Sequence, residues 1–233
     1  MMIHLRVEDV TTILDNKKLI EQISFTIQKG EVLALVGHNG AGKSTLLKTM
    51  MTMLEKDSGR IAVLETYDQD EDLLQFKKHI SYLPEEPMLL PELTVMQHFQ
   101  LYAMSYHISE GDFHEKIHRY ITGFDLVEAT DVYPDELSKG MRQKVQAICA
   151  LLPDVPVLLI DEPFMGLDVY AKEYIVQLMK EKIATGTSIM LTTHQLELLK
   201  DLADSYVTLQ EGKVTDRGTI DEFDTIVRRT DNV

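Results

Sequence analysis

The segment that most constrains this chain is a glycine-rich turn between an apolar run and a helical pattern. Residues 31–36 read EVLALV, which is typical of a strand covered on both faces, and the helical pattern begins near Lys43. Gly37, Gly40 and Gly42 lie between them, and Lys43 is followed by Ser44. A buried strand that ends in such a turn favours a layered α/β fold with its site at the carboxyl edge of a parallel sheet.

The residue types in this turn suit the binding of phosphate groups. Glycines let successive backbone N–H groups point inward, Lys43 supplies a positive charge, Ser44 supplies an oxygen for Mg²⁺, and the helix N-terminus adds a partial positive charge. A purely structural glycine turn is the alternative interpretation. The predicted nucleotide contacts are Gly37, Asn39, Gly40, Ala41, Gly42, Lys43, Ser44 and Thr45.

Two further apolar runs, residues 157–160 and 188–192, also end in polar side chains. Asp161 follows the first run and is predicted to hold Mg²⁺, whereas Glu162 is placed to polarise an attacking water as a general base. The alternative is that Asp161 and Glu162 simply end a strand and cap a helix. We therefore predict that the phosphate turn and this acidic pair meet at one sheet edge.

The chain divides into three parts by pattern. Alternating apolar residues predict strands in the first third, and helical spacing from Val95 to Phe124 predicts a helical insert bounded by prolines. The predicted parts are a nucleotide-binding core at 1–86 and 153–220, a helical subdomain at 87–152, and a polar tail at 221–233.

Charge and cysteine content narrow the partners and the compartment. There are 23 Lys and Arg against 38 Asp and Glu, which gives a net charge of −15 and argues against sequence-independent binding of nucleic acid. Cys149 is the single cysteine and therefore cannot form an internal disulfide. No secretory signal pattern opens the sequence, and its apolar runs fall short of the ~20 residues that span a bilayer. These features predict a cytoplasmic protein with no nucleic-acid partner.

Three later segments resemble the motifs of ATP-binding-cassette (ABC) ATPases. Residues 137–141, LSKGM, resemble the signature motif, residues 166–168 resemble the D-loop, and residues 192–194 resemble the switch histidine segment. They occur in the family's order together with the phosphate turn and the acidic pair. The resemblance covers roughly residues 3–218.

The resemblance implies a fold and an activity. The expected fold is an α/β P-loop NTPase core with a mostly parallel sheet, an antiparallel β subdomain and an inserted α-helical subdomain. The expected activity is hydrolysis of ATP with Mg²⁺ in a head-to-tail dimer, formed with an identical or a related subunit. Ser138 and Gly140 would face the γ-phosphate held by the partner subunit, Asp168 would communicate across the dimer, and His194 would be catalytic beside Glu162.

Three departures from the family pattern have consequences. Lys139 and Met141 replace a glycine and a glutamine of the signature motif. Glu85 stands where a glutamine is expected; it is assigned to the nucleotide and to Mg²⁺, and we expect an altered metal dependence. The position of the aromatic residue that stacks on adenine falls near Leu14, next to Ile13, which predicts loose selectivity for the base.

A membrane partner follows from the same resemblance, because the sequence contains no spanning segment of its own. Met88, Leu89 and Leu90, with Val95, Phe99 and Tyr102 of the next helix, are expected to border a groove for an integral membrane permease subunit, although the helical residues also suit ordinary core. The motifs are most similar to exporter-type cassettes of the drug, peptide and bacteriocin-immunity kind, including Ecs-like ones. The protein is thus expected at the inner face of the cell membrane. The alternatives are a soluble cassette that acts on nucleic acid or ribosomes, and a regulatory module that barely turns over ATP.

Overall fold

The computed structural model describes residues 2–193 and 196–223. Within them the strands are β1 (Ile3–Leu14), β2 (Lys17–Gln28), β3 (Val32–Val36), β4 (Ser58–Val63), β5 (Tyr67–Asp68), β6 (Ile80–Leu83), β7 (Val157–Asp161), β8 (Ser188–Thr192), β9 (Ser205–Gln210) and β10 (Lys213–Thr219). The helices are α1 (Lys43–Met50), α2 (Leu73–Lys78), α3 (Val95–Ser105), α4 (Glu110–Gly123), α5 (Lys139–Leu151), α6 (Val169–Ala184) and α7 (Leu196–Leu202).

The central sheet has the order β10-β9-β3-β8-β7-β6. Its strands run parallel except for β10, which pairs antiparallel with β9. Every residue of β6, β7 and β8 is buried, as expected for strands covered on both faces. The register places Asp161 at the end of β7 directly beside Thr192 at the end of β8. The predicted parallel sheet with polar strand ends is therefore confirmed.

A second, antiparallel sheet has the order β2-β1-β4-β5. The alternation of Leu5 and Val7 with polar neighbours in β1, and of Ile23, Phe25 and Ile27 in β2, puts these apolar side chains in one core. That core also contains Leu46 and other residues of α1 and the central sheet. The antiparallel sheet is thus packed against the helix that follows the glycine-rich turn.

Helices α3, α4 and α5 form an insertion between β6 and β7. Val95, Phe99, Phe113, Ile117 and Tyr120 are buried in a second core, as their helical spacing predicts. Side chains cap these helices. Thr94 forms a capping box with Gln97 at α3, Ser109 caps α4, and Ser138 caps α5.

The insertion is joined to the sheet core through a contact between α4 and α6. Gly123 lies so close to Tyr174 that a Cβ at Gly123 would approach the ring Cζ to 2.2 Å. The rings of Phe124 and Tyr174 meet edge to face with centroids 4.9 Å apart. Nearby, Lys182 and Lys116 share the carboxylate of Asp154. These contacts fix the orientation of the insertion relative to the sheet core.

Candidate functional site

The glycine-rich turn connects β3 to α1 and has two positions that only glycine satisfies. A Cβ at Gly37 would lie 2.5 Å from the carbonyl oxygen of Leu209. Gly42 has φ of +108°, and a Cβ there would lie 2.9 Å from Cγ2 of Ile20. Ala41 is fully buried between them, and its carbonyl accepts a hydrogen bond of 2.9 Å from the N–H of Gly212. The turn is therefore held tightly by β2 and by the β9–β10 connection.

The lysine of the turn lies over the loop it follows. Lys43 is 8% exposed, and its Nζ donates to the carbonyl oxygens of Gly37, at 2.6 Å, and His38, at 3.3 Å. The N-cap of α1 is Gly42, which offers no side-chain acceptor to the first backbone N–H groups of the helix. A cation and a helix N-terminus at the same loop make a binding site for an anion.

Asp161 and Glu162 lie where β7 leaves the sheet. Asp161 is 2% exposed and accepts a hydrogen bond of 2.5 Å from Oγ1 of Thr192. The N–H of Glu162 donates to both Oγ1 and the carbonyl oxygen of Thr192, each at 3.1 Å. Glu162 has φ of +46°, an uncommon conformation for a residue with a side chain. The neighbouring strand thus fixes the carboxylate of Asp161 and the backbone of Glu162.

One cleft of about 640 Å³ brings most of the predicted residues together. Its lining consists of Lys17, Lys18, Leu19, Asn39, Gly40, Gly42, Lys43, Ser44, Thr45, Glu85, Asp161, Glu162, Glu211 and Gly212. Gly37 and Ala41 are outside this lining, because they support the turn from behind. The meeting of the turn with the acidic pair is as the sequence predicted.

The donor set in the cleft suits Mg²⁺. The Ser44 hydroxyl and the carboxylates of Asp161 and Glu85 all line it. Among the described residues no group of three His, Cys, Asp or Glu side chains forms a complete metal cage. Mg²⁺ is commonly held by one or two carboxylates together with substrate phosphates and water. The site therefore fits a Mg²⁺ ion that arrives with a nucleotide.

Tyr82 is a further member of this site, to which sequence analysis assigned no role. It is 7% exposed, at the end region of β6. Burial, together with the charges of Asp161 and Glu85, raises the pKa of the Tyr82 hydroxyl, which therefore stays protonated beside Asp161. Its position beside Asp161 follows from the parallel pairing of β6 with β7, which the local sequence does not reveal.

At the end of the cleft lined by β2, the structure differs from the expectation that the nucleotide base binds near Leu14. Leu14 and Ile13 are 49% and 38% exposed, and neither lines the cleft. Lys17, Lys18 and Leu19, at the start of β2, line it instead. The lining contains no aromatic ring. A base bound at this end would therefore contact aliphatic side chains and a lysine ammonium group.

The signature-like segment lies outside the cleft. The Ser138 hydroxyl accepts a hydrogen bond of 3.2 Å from the N–H of Met141 and so caps α5. A Cβ at Gly140 would lie 2.9 Å from the carbonyl oxygen of Gly166. Neither Ser138 nor Gly140 lines the cleft. Gly140 and Gly166 instead let the signature-like segment pack closely against the segment that contains Asp168.

Asp168 joins these two segments by charge. One carboxylate oxygen accepts from the N–H of Ala171, at 2.9 Å, and caps α6, while the other pairs with Lys144 of α5 at 2.8 Å. Lys144 is the main cause of the lowered pKa of Asp168. Ser138, Gly140 and Asp168 therefore belong to one surface of the subunit. The predicted catalytic His194 lies outside the described residues; it follows Thr193, which is buried at the end of β8.

Fewer residues of the predicted docking groove are exposed than the sequence suggested. Met88 and Leu90 are 58% and 47% exposed, whereas Val95 and Phe99 are fully buried in the helical core. The helical residues are thus ordinary core, which was the alternative interpretation, and the exposed apolar surface comes from residues 88–90. Within residues 2–193 and 196–223, no helix combines the length and apolar character needed to cross a membrane.

Comparison with known proteins identifies relatives along nearly the whole chain. The family model described as ABC transporter matches residues 20–165. The ABC-type transporter ATP-binding protein EcsA of Bacillus subtilis is 33% identical over 220 residues, which cover 94% of this chain and 88% of EcsA. The SkfA peptide export ATP-binding protein SkfE of the same organism is 30% identical and covers 94% of this chain and 91% of SkfE.

A solved structure has the same fold. The structure described as an ATP-binding subunit of an ABC transporter superposes with a TM-score of 0.91 at 35% identity, over 97% of this chain and 93% of that chain. The agreement extends over both sheets and the helical insertion, because so little of either chain is left unmatched.

Proposed function

Because this chain belongs to the ABC transporter family, as an ATP-binding subunit that hydrolyses ATP with Mg²⁺, we propose that its cleft forms one half of a nucleotide site completed by a second subunit. The observation that carries this proposal is the position of Ser138 and Gly140. Both lie at the N-terminus of α5, outside the cleft that contains Lys43 and Asp161. A helix N-terminus with a serine hydroxyl is suited to phosphate, and a facing subunit would supply it.

Within the cleft, the turn holds the phosphates. Gly37, Asn39, Gly40, Ala41, Gly42 and Thr45 shape the turn and present its backbone and side-chain donors, and Lys43 neutralises phosphate charge. Ser44, Asp161 and Glu85 would hold Mg²⁺ through their oxygen atoms, and the ion would supply positive charge next to the phosphates. A nucleotide in the cleft would take the place of the loop carbonyls as partner of the Lys43 ammonium.

The acidic pair divides the chemistry. Thr192 donates a hydrogen bond to Asp161 and holds its carboxylate in one orientation. Glu162 is the proposed general base that accepts a proton from the attacking water, and the hydrogen bonds of its backbone to Thr192 hold it beside the metal ligands. His194 is proposed to orient the same water from the γ-phosphate side.

The second subunit is proposed to be an identical or a related chain in head-to-tail orientation. In this arrangement Ser138 and Gly140 of one subunit face the γ-phosphate in the cleft of the other. Asp168 then lies at the junction between the two sites, because Lys144 ties it to the helix that starts at Ser138. Val169 and Tyr170, which follow Asp168, are 65% and 82% exposed and are available for contact with the partner subunit.

The proposed partner that uses the energy of ATP hydrolysis is a membrane subunit. Met88 and Leu90 form an exposed apolar surface beside the cleft and suit an apolar face of a cytoplasmic helix from an integral permease. The protein would then lie in the cytoplasm at the inner face of the membrane. Export is the proposed direction, supported by the similarity to SkfE, whose name describes peptide export.

The proposed division of labour follows the parts of the chain. Residues 1–86 and 153–220 would bind and hydrolyse ATP, residues 87–152 would carry both the signature-like helix and the docking surface, and residues 221–233 would form a tail. The decisive test is ATPase activity of the purified chain compared with Glu162→Gln and Lys43→Ala. Turnover that disappears in both variants supports the proposal, and turnover that survives Glu162→Gln contradicts it.

A further inference from the structure

Two buried side chains hold the backbone of residues 88–90, here called the docking segment. The N–H of Met88 donates to Oε1 of Gln146 at 2.9 Å, and the N–H of Leu90 donates to Nε2 of His98 at 2.8 Å. Gln146 is 1% exposed and His98 is 2% exposed. The segment therefore exposes the side chains of Met88 and Leu90 but has its backbone fixed from inside the protein.

The chemistry of the donors determines how both side chains are oriented. A backbone N–H only donates, so the oxygen of Gln146 must face Met88, and its Nε2 then faces the hydroxyl oxygen of Tyr102 at 3.5 Å. For the same reason Nε2 of His98 is the acceptor, so Nδ1 carries the proton and donates to the carbonyl oxygen of Thr94 at 2.8 Å. Each side chain forms hydrogen bonds through both of its polar atoms, and its position is therefore well defined.

These contacts place the docking segment on the helical insertion. His98 lies on α3 and Gln146 lies on α5. Ser138 is the N-cap of α5, eight positions before Gln146 in the sequence, which corresponds to about 12 Å along a helix. One continuous helix thus connects the backbone of Met88 to the serine proposed to face the γ-phosphate of the partner subunit.

The docking segment also adjoins the nucleotide cleft of its own subunit. A second cavity of about 340 Å³ is lined by Met88, Met53 and Tyr82 together with Ser44, Glu85 and Asp161. Displacement of Met88 would therefore change the space next to the metal ligands. The segment contacts both halves of the proposed catalytic arrangement, one through a helix and the other through a shared cavity.

We propose that Gln146 and His98 are positioning residues that couple the docking segment to ATP hydrolysis. They fix the backbone of residues 88–90 to α5 and α3, so that a helix seated on Met88 and Leu90 shifts Ser138 together with the docking segment. Neither side chain lines the nucleotide cleft. This inference rests on the proposed function, because it concerns the use of the docking surface by a membrane subunit.

Gln146→Met tests the backbone contact directly, because methionine has a similar shape but offers the Met88 N–H only a weak sulfur acceptor in place of the amide oxygen. Gln146→Glu is the matched variant, since a carboxylate oxygen accepts from both Met88 and Tyr102. In hydrogen exchange followed by NMR on the full chain, we expect the Met88 amide to exchange at least tenfold faster in Gln146→Met, while Gln146→Glu stays close to wild type and the amides of α6 are unchanged. The same Met88 exchange rate in all three proteins would overturn the contact.

His98→Phe and His98→Gln provide a second, independent pair. Phenylalanine removes the acceptor for the Leu90 N–H, whereas the glutamine amide oxygen restores it. We expect faster exchange at Leu90 in His98→Phe alone. If exchange at Leu90 instead rises equally in both variants, the ring serves only to fill space, and the inference about His98 is wrong.

Coupling is measured by adding the purified chain to inverted membrane vesicles from a host strain that lacks the gene for this chain. We expect Gln146→Met to keep its basal ATPase within twofold of wild type, whereas its vesicle-stimulated increase should be at least fivefold smaller than that of wild type. In Gln146→Glu the vesicle-stimulated increase should be restored. Equal stimulation of wild type and Gln146→Met would overturn the coupling role. A wild-type protein without stimulation would contradict the proposed membrane partner, and the exchange rates would then decide the role of Gln146.

Discussion

The Oγ1 of Thr192 donates a hydrogen bond of 2.5 Å to Oδ1 of Asp161 across neighbouring parallel strands. Thr192 uses its only hydroxyl proton for this bond, so the Asp161 carboxylate is held in one orientation. The orientation of the proposed metal ligand thus depends on a side chain from another strand.

Thr192→Val should therefore weaken the use of Mg²⁺. Valine has the same shape but leaves a buried carboxylate oxygen without its donor, at a cost of about 1–3 kcal/mol. We expect roughly a tenfold fall in kcat/KM at limiting Mg²⁺, measured in an ATPase assay over a Mg²⁺ titration. Thr192→Ser retains the hydroxyl and should behave like wild type; equal loss in both variants would contradict this role of the hydroxyl.

Gly37→Ala should disrupt the turn and nucleotide binding together. Its new Cβ would lie 2.5 Å from the carbonyl oxygen of Leu209, so either the turn or β9 must move. We expect loss of detectable binding of a fluorescent ATP analogue, and a lowered free energy of unfolding in urea. Gly111 in α4 has open space around its Cβ position, so Gly111→Ala is a matched control that should bind normally and gain up to ~1 kcal/mol of stability.

The free energy of unfolding should decrease when the pH is lowered below about 6.5, because of His4. Burial lowers the pKa of His4, whose Nδ1 donates to the carbonyl oxygen of Pro156 at 3.1 Å. The unfolded chain then binds more protons than the native protein, so the contribution of the neutral ring is complete above the unfolded pKa. This contribution to stability is lost as the pH falls toward the lowered pKa of His4 in the native protein, by at most about 1.4 kcal/mol per pH unit.

This pH dependence can be separated from that of the carboxylates. Burial raises the pKa of Asp68 and Asp154. Hydrogen bonds from the Asp70 N–H and from Arg60 to Asp68, and from Lys116 and Lys182 to Asp154, outweigh this effect and lower both pKa values. Their contributions are therefore lost only at lower pH. Urea unfolding between pH 7.5 and pH 5 should show a declining free energy for wild type and a smaller decline for His4→Asn, which retains a donor but does not titrate. Identical slopes would show that His4 is not responsible.

The nucleotide base should contribute little selectivity. Lys17, Lys18 and Leu19 line the end of the cleft near β2, with no aromatic ring in the lining. We expect the apparent affinity for GTP, measured by its competition with ATP in an ATPase assay, to lie within about fivefold of the affinity for ATP. Lys17→Tyr should tighten binding of both purine nucleotides about threefold to tenfold by stacking, equivalent to ~0.5–1.5 kcal/mol.

Leu14→Tyr is the comparison for that substitution, because Leu14 lies outside the cleft lining. It should change nucleotide affinity less than Lys17→Tyr. A larger effect at Leu14, or a wild-type preference for ATP above tenfold, would show that the base binds nearer to Leu14 than the cleft indicates.

Much of the site was predictable because its chemistry is local in sequence. Gly42, Lys43 and Ser44 follow one another, and Asp161 follows a run that reads as a buried strand. The predicted helical insert was confirmed as α3–α5, since helical spacing of Phe113, Ile117 and Tyr120 is a short-range pattern.

The missed features depend on the spatial order of strands and helices. Tyr82 and Thr192 reach Asp161 only because β6, β7 and β8 are neighbours in the sheet. The contact between Gln146 and Met88 joins residues 58 positions apart. Sequence periodicity assigns such residues to a buried face, but it does not specify which partner each one meets.

The central claim is that the cleft of one subunit and Ser138 of another enclose the same nucleotide. The most direct test is the molar mass of Glu162→Gln by size-exclusion chromatography with light scattering, in the presence of Mg²⁺ and ATP. We predict a doubled mass with ATP, a monomer with ADP, and a monomer with ATP when Ser138→Arg is added to Glu162→Gln. A monomer with ATP under all conditions, or a dimer that is unaffected by Ser138→Arg, would contradict the account.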